Sequence, residues 1–265
     1  MLLVVALGQA AGLGALLILL AFMPPATASL ADLAWGASAG VFGGAGVGLL
    51  YQALSVGTMS VVAPTTAVCA VLVPVLAGIL MGERPAAQVL AGIGLAVVAI
   101  VLVSQQPDAH TAGPSSPARG LRSGPGTQGL GAALGSGLLI GLFFLALAQT
   151  GPAAGLWPLL SARATSVAVF SIAMAATGRS WRSGGTTTWL IVAGGVLDML
   201  ANALYLLATH GGPLASVVTL ASLYPASTVL LARVVLGERI GRVQAAGIVV
   251  ALVAVALLVS AAGLS

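Results

Sequence analysis

Nine apolar segments, each long enough to cross a bilayer, dominate this sequence of 265 residues. A membrane-spanning helix needs about 17–25 apolar residues. Only 5% of the residues are charged, against about 25% in a soluble domain, so the chain cannot build a surface that faces water. A helix satisfies its own backbone hydrogen bonds in lipid. The sequence therefore predicts an all-α, polytopic membrane bundle with nine spans, at residues 1–22, 33–54, 59–81, 86–104, 129–150, 156–177, 187–208, 214–236 and 242–262.

The same sequence pattern occurs twice, 155 positions apart. Gly82-Glu83-Arg84 recurs as Gly237-Glu238-Arg239, and Ala91-Gly92-Ile93 recurs as Ala246-Gly247-Ile248. Ten positions match among the twenty-one that begin at Gly82. A charged triplet at a fixed offset is a much stronger signal than the apolar matches, so the chain is predicted to contain two copies of one unit.

The first copy covers residues 1–105 and has four spans, a flexible linker covers 106–128, and the second copy covers 129–265 and has five. An odd unit of five helices makes the two copies inverted in the membrane. The partner of span 129–150 would lie before Met1. We expect that either the chain lost that helix or its start lies one helix too late. An alternative interpretation of segment 1–22, a signal peptide, is disfavoured because no basic residue precedes it.

Arginine placement predicts the orientation, because cytoplasmic loops carry an excess of basic residues. The loops on the side of Met1 carry six arginines and the opposite side only Arg84; the six are Arg119, Arg122, Arg179, Arg182, Arg239 and Arg242. The linker is therefore predicted to be cytoplasmic, in a multi-pass protein of the plasma membrane. The net charge of +4 does not predict nucleic-acid binding, since the arginines form no basic stripe.

Asp198 is the strongest single candidate for a functional-site residue. It lies about eleven residues into its span, where an ionised carboxylate is costly without a partner. Arg163 lies at nearly the same depth in the preceding span. Two interpretations remain open: a structural ion pair, or a protonatable group coupled to transport. Asn202 follows on the same helical face, with Tyr205 one turn later, and Gln9 is a polar residue in the first span.

Three prolines predict broken helices: Pro64 and Pro74 in span 59–81, and Pro225 in its copy. In transporters built from repeats, paired breaks point to a site at the bilayer midplane, and Tyr224 lies beside one of them. Ordinary kinks are the alternative. A ridge of Gly36, Gly40, Gly44 and Gly48 predicts close helix packing; whether within one chain or in a homodimer is open.

The sequence contains no metal-ligand cluster, no phosphate-binding loop and no hydrolytic set. We therefore predict no metal, no cofactor and no enzymatic activity.

The chain resembles the EamA-like proteins of the drug/metabolite transporter superfamily. The resemblance rests on Met81-Gly82-Glu83-Arg84 and Leu236-Gly237-Glu238-Arg239, each followed by a helix with Ala-Gly-Ile near its start, and on the Val62-Ala63-Pro64 and Leu223-Tyr224-Pro225 motifs. It implies ten helices in two inverted five-helix halves around a central cavity, so this chain departs from it by one helix.

The resemblance also implies a secondary transporter of small metabolites, amino acids or amphipathic drugs, often an exporter, working by alternating access. The expected site residues are Asp198, Asn202, Tyr205, Arg163, Tyr224 and Gln9, and the expected partners are a small-molecule substrate, the lipid bilayer and protons as coupling ion. The alternative is a truncated membrane subunit that does not transport.

Overall fold

In the computed structural model, the described residues are 2–57, 59–82, 84–105, 129–176, 186–221, 223–224, 226, 234 and 241–262. Their regular structure is helical, as predicted. The helices are α1 (Leu2–Phe22), α2 (Leu30–Val56), α3 (Met59–Leu80), α4 (Ala87–Val103), α5 (Leu130–Ala148), α6 (Trp157–Ala176), α7 (Thr186–Thr209), α8 (Leu214–Ala221) and α9 (Arg242–Ala262), with a short 3-10 turn at Pro152–Ala154.

Each predicted span overlaps one of these helices, and a polytopic helical bundle is confirmed. Six helices are long and apolar enough to cross a membrane, namely α1, α2, α3, α5, α6 and α7. Helix α4 and the apolar part of α9 are shorter, at 17 residues each. For the predicted span 214–236, the structure describes α8 and only a few residues after it. The count of nine spans therefore stays a prediction, and the linker 106–128 lies outside the described residues.

Helix α2 lies at the centre of one part of the bundle, between α5 and α6. Its first turn is closed by a capping box, in which Ser29 Oγ accepts from the Asp32 amide and the Asp32 carboxylate accepts from the Ser29 amide. Helix α1 packs on α6 and α7, and α3 packs on α5. A second cluster of buried side chains joins α3, α4, α8 and α9.

The α2 glycines allow its backbone to touch α6. A Cβ on Gly36 would collide with the Pro158 carbonyl, and one on Gly40 with the Ala162 carbonyl. A Cβ on Gly44 would lie 3.2 Å from the Phe170 ring, whereas one on Gly48 would meet nothing within 4 Å. Three glycines of the predicted ridge thus pack closely within the chain. Serine hydroxyls add interhelical hydrogen bonds: Ser166 Oγ donates to the Gly40 carbonyl and Ser136 Oγ to the Gly46 carbonyl, both at 2.8 Å.

Helices α4 and α9 make two contacts that the 155-residue offset relates to each other. A Cβ on Gly92 would lie 2.9 Å from Leu258, and one on Gly247 would lie 2.8 Å from the Val103 side chain. Adding 155 to 92 and to 103 gives 247 and 258. The early part of each helix meets the late part of the other, so α4 and α9 run antiparallel.

The predicted break at Pro64 and Pro74 is wrong, because α3 runs through both prolines as one helix. A proline removes one backbone hydrogen bond, but its fixed φ is compatible with helix. Neighbouring helices can hold such a segment helical in a membrane. Pro225 lies outside the described residues.

We expect the substitution Gly40→Ala to lower the thermal stability of the protein in detergent, because the new methyl group would overlap the Ala162 carbonyl. Overpacking of this kind costs about 1–3 kcal/mol. The matched control is Gly48→Ala, which adds the same methyl group to the same helix in open space. Melting temperatures of the two variants, measured by size-exclusion chromatography after heating, should differ; equal melting temperatures would contradict the packing described.

Candidate functional site

Arg163 is the centre of a polar cluster between α1, α6 and α7. Its Nη2 donates to Asp198 Oδ2, forming an ion pair, and its Nη1 donates to Gln9 Oε1. Its Nε lies 3.3 Å from the Met199 sulfur. Three of the residues predicted from the sequence, one on each helix, are thus in direct contact.

The two charges of this pair differ in exposure. The Arg163 side chain is 8% exposed and that of Asp198 is 59% exposed. Arg163 is held because α6 packs against α1 and α2, which places its seventh residue inside the bundle. A buried guanidinium without an anion would cost several kcal/mol, so the nearby carboxylate stabilises the folded site.

Two cavities meet at this pair. One, of about 190 Å³, lies between α1, α2, α5, α6 and α7, and its polar lining comes from Gln9, Arg163, Ser166, Asp198 and Asn202. Its other walls are glycines and apolar side chains, including Phe143 and Phe144. The second, of about 490 Å³, lies toward the start of α1 and includes Tyr51. Gln9, Val47, Arg163 and Asp198 line both.

Asn202 lies on the same face as Asp198, as predicted from their spacing, and lines the smaller cavity. Its Nδ2 donates to the Asp198 backbone carbonyl at 2.8 Å. The Asn202 side-chain amide nitrogen is therefore bound within α7, and the Asn202 side-chain oxygen is not used in that hydrogen bond.

The structure does not bring the two tyrosines to the cluster. Tyr205 is buried, its hydroxyl donates to the Phe144 carbonyl at 2.9 Å, and its ring centre lies 4.6 Å from that of Phe144. Its polar group thus joins α7 to α5. Tyr224 lies beyond α8, is partly exposed, and lines neither cavity. Pro64 and Pro74 of α3 also lie outside both linings.

Sequence reasoning missed the residues that shape the smaller cavity, chiefly Gly43, Phe143, Phe144 and Ser166. The ridge in α2 is the nearest sequence signal, because Gly43 directly precedes its member Gly44. Ser166 follows Arg163 by three residues and so shares its helical face. The paired phenylalanines had no signal, since aromatic residues are ordinary in an apolar span.

The described residues form a bundle of apolar helices with an ion pair that lines two cavities, and comparison with known proteins agrees with a membrane protein. The model of the EamA-like transporter family matches residues 1–105 and 127–260. The chain therefore belongs to the EamA-like transporter family, within the drug/metabolite transporter superfamily. It is a multi-pass membrane protein of a family that transports small solutes.

A search of curated proteins found no match. One solved structure, described only as a crystal structure of a protein, has a TM-score of 0.71 with 16% identity. The match covers 97% of this chain and 88% of that one. At this identity the likeness shows a shared fold alone.

A double-mutant cycle tests the contact between Arg163 and Asp198. We expect Arg163→Gln and Asp198→Asn to be coupled in unfolding free energy by about 1–3 kcal/mol, as for directly contacting charges. The control cycle combines Arg163→Gln with Asp32→Asn, a carboxylate at the start of α2 that accepts from the Gly151 amide at 2.8 Å. That pair should be additive within about 0.5 kcal/mol. Additivity in both cycles would mean that the ion pair does not form.

Proposed function

We propose that the chain is a secondary carrier that moves small metabolites, amino acids or amphipathic drugs across the plasma membrane, outward, by alternating access. The observation that carries this proposal is the Arg163–Asp198 pair between two cavities. Asp198 is the thirteenth of the 24 residues of α7, which is near the middle of a spanning helix. Intramembrane charges at such a depth are expensive, and they typically mark solute or ion pathways.

Two inverted halves are the second part of the proposal, with residues 1–105 and 129–265 as the halves and a cytoplasmic linker between them. The support is the antiparallel α4–α9 pair. Gly92 and Gly247 are equivalent under the 155-residue offset. The residues that they contact, Leu258 and Val103, are equivalent under the same offset. If equivalent helices run in opposite directions, the units that contain them are inverted, which is the symmetry that lets two halves rock about a fixed site.

Proton coupling through Asp198 is the third part. A carboxylate 59% exposed beside a cavity can exchange protons, and its protonation would weaken the attraction to Arg163. Protonation would thus change both the charge of the site and the contact between α6 and α7. The glycine ridge gives no support for a homodimer, since three of its glycines are used within the chain.

A second candidate, a membrane subunit that works with a partner helix, is favoured by one observation on α7. Helix α5 covers a face of α2 that includes Gly43, Gly46 and Leu49. The offset of 155 relates these residues to Asp198, Ala201 and Leu204 of α7, which are exposed, Leu204 by 69%. An uncovered face of this kind, apolar apart from Asp198, suits a further helix.

Flux measurements test the carrier. We expect an overexpressing strain to differ from a deletion strain in the export of particular metabolites, and Arg163→Gln to abolish that difference because it removes the fixed charge of the site. Membrane abundance of the variant must equal that of the wild type, and Gly48→Ala is the control expected to retain export. Reconstituted liposomes that contain the chain alone should then carry the same solute.

Solute flux by the chain alone would exclude the partner-dependent subunit. If the chain has normal abundance and stability but no flux is measured, that result would count against the carrier. For the coupling, uptake into liposomes is measured across a range of pH gradients. Asp198→Asn should remove the pH dependence, and a variant with the wild-type dependence would end the assignment of Asp198 as the coupling group.

A further inference from the structure

Two contacts of the Arg163 side chain do not involve the Asp198 carboxylate. Nη1 is bound to the Gln9 carbonyl oxygen on α1, and Nε contacts the Met199 sulfur. Asp198, in contrast, is mostly exposed and depends on Arg163 for its one side-chain partner among the described contacts. The guanidinium is therefore the fixed member of the pair, and the carboxylate is the one that can leave.

We propose, building on the proposed carrier function, that the site binds a small organic anion with an apolar body. Its carboxylate or sulfonate group takes the place of the Asp198 side chain on Arg163, and Asp198 binds a proton in the same event. Nη2 is the Arg163 nitrogen that donates to the Asp198 carboxylate, and an oxygen of a carboxylate or sulfonate can accept the same charge-assisted hydrogen bond. The ligand thus copies the group that it displaces.

The charges balance in this exchange. In the empty site, Arg163 carries one positive charge and Asp198 one negative charge. When the anion is bound, its negative charge is paired with Arg163 and the protonated Asp198 is neutral. The site is neutral in both states, so neither state leaves an unpaired charge in the bundle, where it would be destabilising. Anion binding and proton binding therefore favour each other, and the two would cross the membrane together without moving net charge.

The lining of the smaller cavity indicates the chemistry of the rest of the ligand. Its walls beyond the cluster are mainly Val47, Ile140, Phe143, Leu159 and Ala162, and its volume is about 190 Å³. These side chains suit an aromatic ring or a branched aliphatic chain. An ammonium group would find only Asp198 as an ionic partner among the described lining residues, and it would draw that carboxylate away from Arg163 without supplying a replacement.

The proton is assigned to Asp198 because the other groups around it do not compete. Helix α1 presents Gln9, which does not titrate, and α5 presents Phe143 and Phe144. Helix α6 presents Arg163, which stays charged. On α2, Tyr51 lines the larger cavity, and on α7 itself the Tyr205 hydroxyl is engaged by the Phe144 carbonyl. Within the described helices, Asp198 is thus the carboxylate at this site.

Binding of benzenesulfonate to the full chain in lipid nanodiscs tests the proposal, since this probe stays ionised between pH 5 and 8. Calorimetric titrations at pH 5.5 and 7.5 should give tighter binding at pH 5.5, approaching about tenfold per pH unit where the carboxylate is ionised in the free site. Asp198→Asn should bind about equally at both pH values, because its site needs no proton. Arg163→Gln should lose binding at both.

Two comparisons sharpen the result. Asp32→Asn is the matched acid-to-amide control; it lies eight residues before Gly40 on α2, about 12 Å along the helix, and should keep the wild-type pH dependence. Wild-type affinity for benzenesulfonate that is equal at both pH values would overturn the proposal. Binding of phenethylammonium in place of benzenesulfonate would also overturn it, as would pH-independent binding of zwitterionic phenylalanine in preference to benzenesulfonate. Melting temperatures show that each variant is folded.

The binding assay separates this proposal from the carrier function. Proton-linked sulfonate binding without flux would retain the anion site and end the carrier. Flux of another solute, with no sulfonate binding at either pH, would retain the carrier and end the anion site.

Discussion

Close contact between helix backbones is the constraint on which this bundle depends. In a membrane the lipid is as apolar as the side chains, so burial of leucine against leucine supplies little force. What remains is van der Waals contact and interhelical hydrogen bonding, and both need small residues. Gly36 and Gly40 bring the α2 backbone against α6, and the Ser166 hydroxyl then reaches the Gly40 carbonyl at 2.8 Å. Packing and polar contact occur in the same few residues.

The position of the site follows from that packing. Helix α6 approaches α2 through glycines on one side and α1 on the other, and the Arg163 side chain is largely buried between them. Its charge must be met inside, by the Gln9 amide oxygen and the Asp198 carboxylate. The same glycines leave space where larger side chains would fill the bundle, and Gly40 and Gly43 line the smaller cavity. Tight packing and an internal cavity therefore have one origin.

Much of the fold could be predicted from the sequence because a membrane span is a local property of length and apolarity. The contact of Arg163 with Asp198 could also be predicted, since depth in two antiparallel helices follows from residue counts. The tyrosines could not be placed in this way. Tyr205 shares a helical face with Asp198 but lies seven residues, about 10.5 Å, further along α7, where its hydroxyl donates to the Phe144 carbonyl. Spans that are apolar on every side also carry no stripe to tell which face is inward. The continuity of α3 through its prolines depends on neighbouring helices, which no local pattern records.

The Arg163–Asp198 pair lines both cavities, of about 190 and 490 Å³, together with Gln9 and Val47. Asp198 is the exposed member of the pair, so a rotation of its side chain would change the lining of both cavities at once. Side-chain rotamer changes are faster than displacements of whole helices, so the polar lining can rearrange while the glycine contacts between helices stay in place.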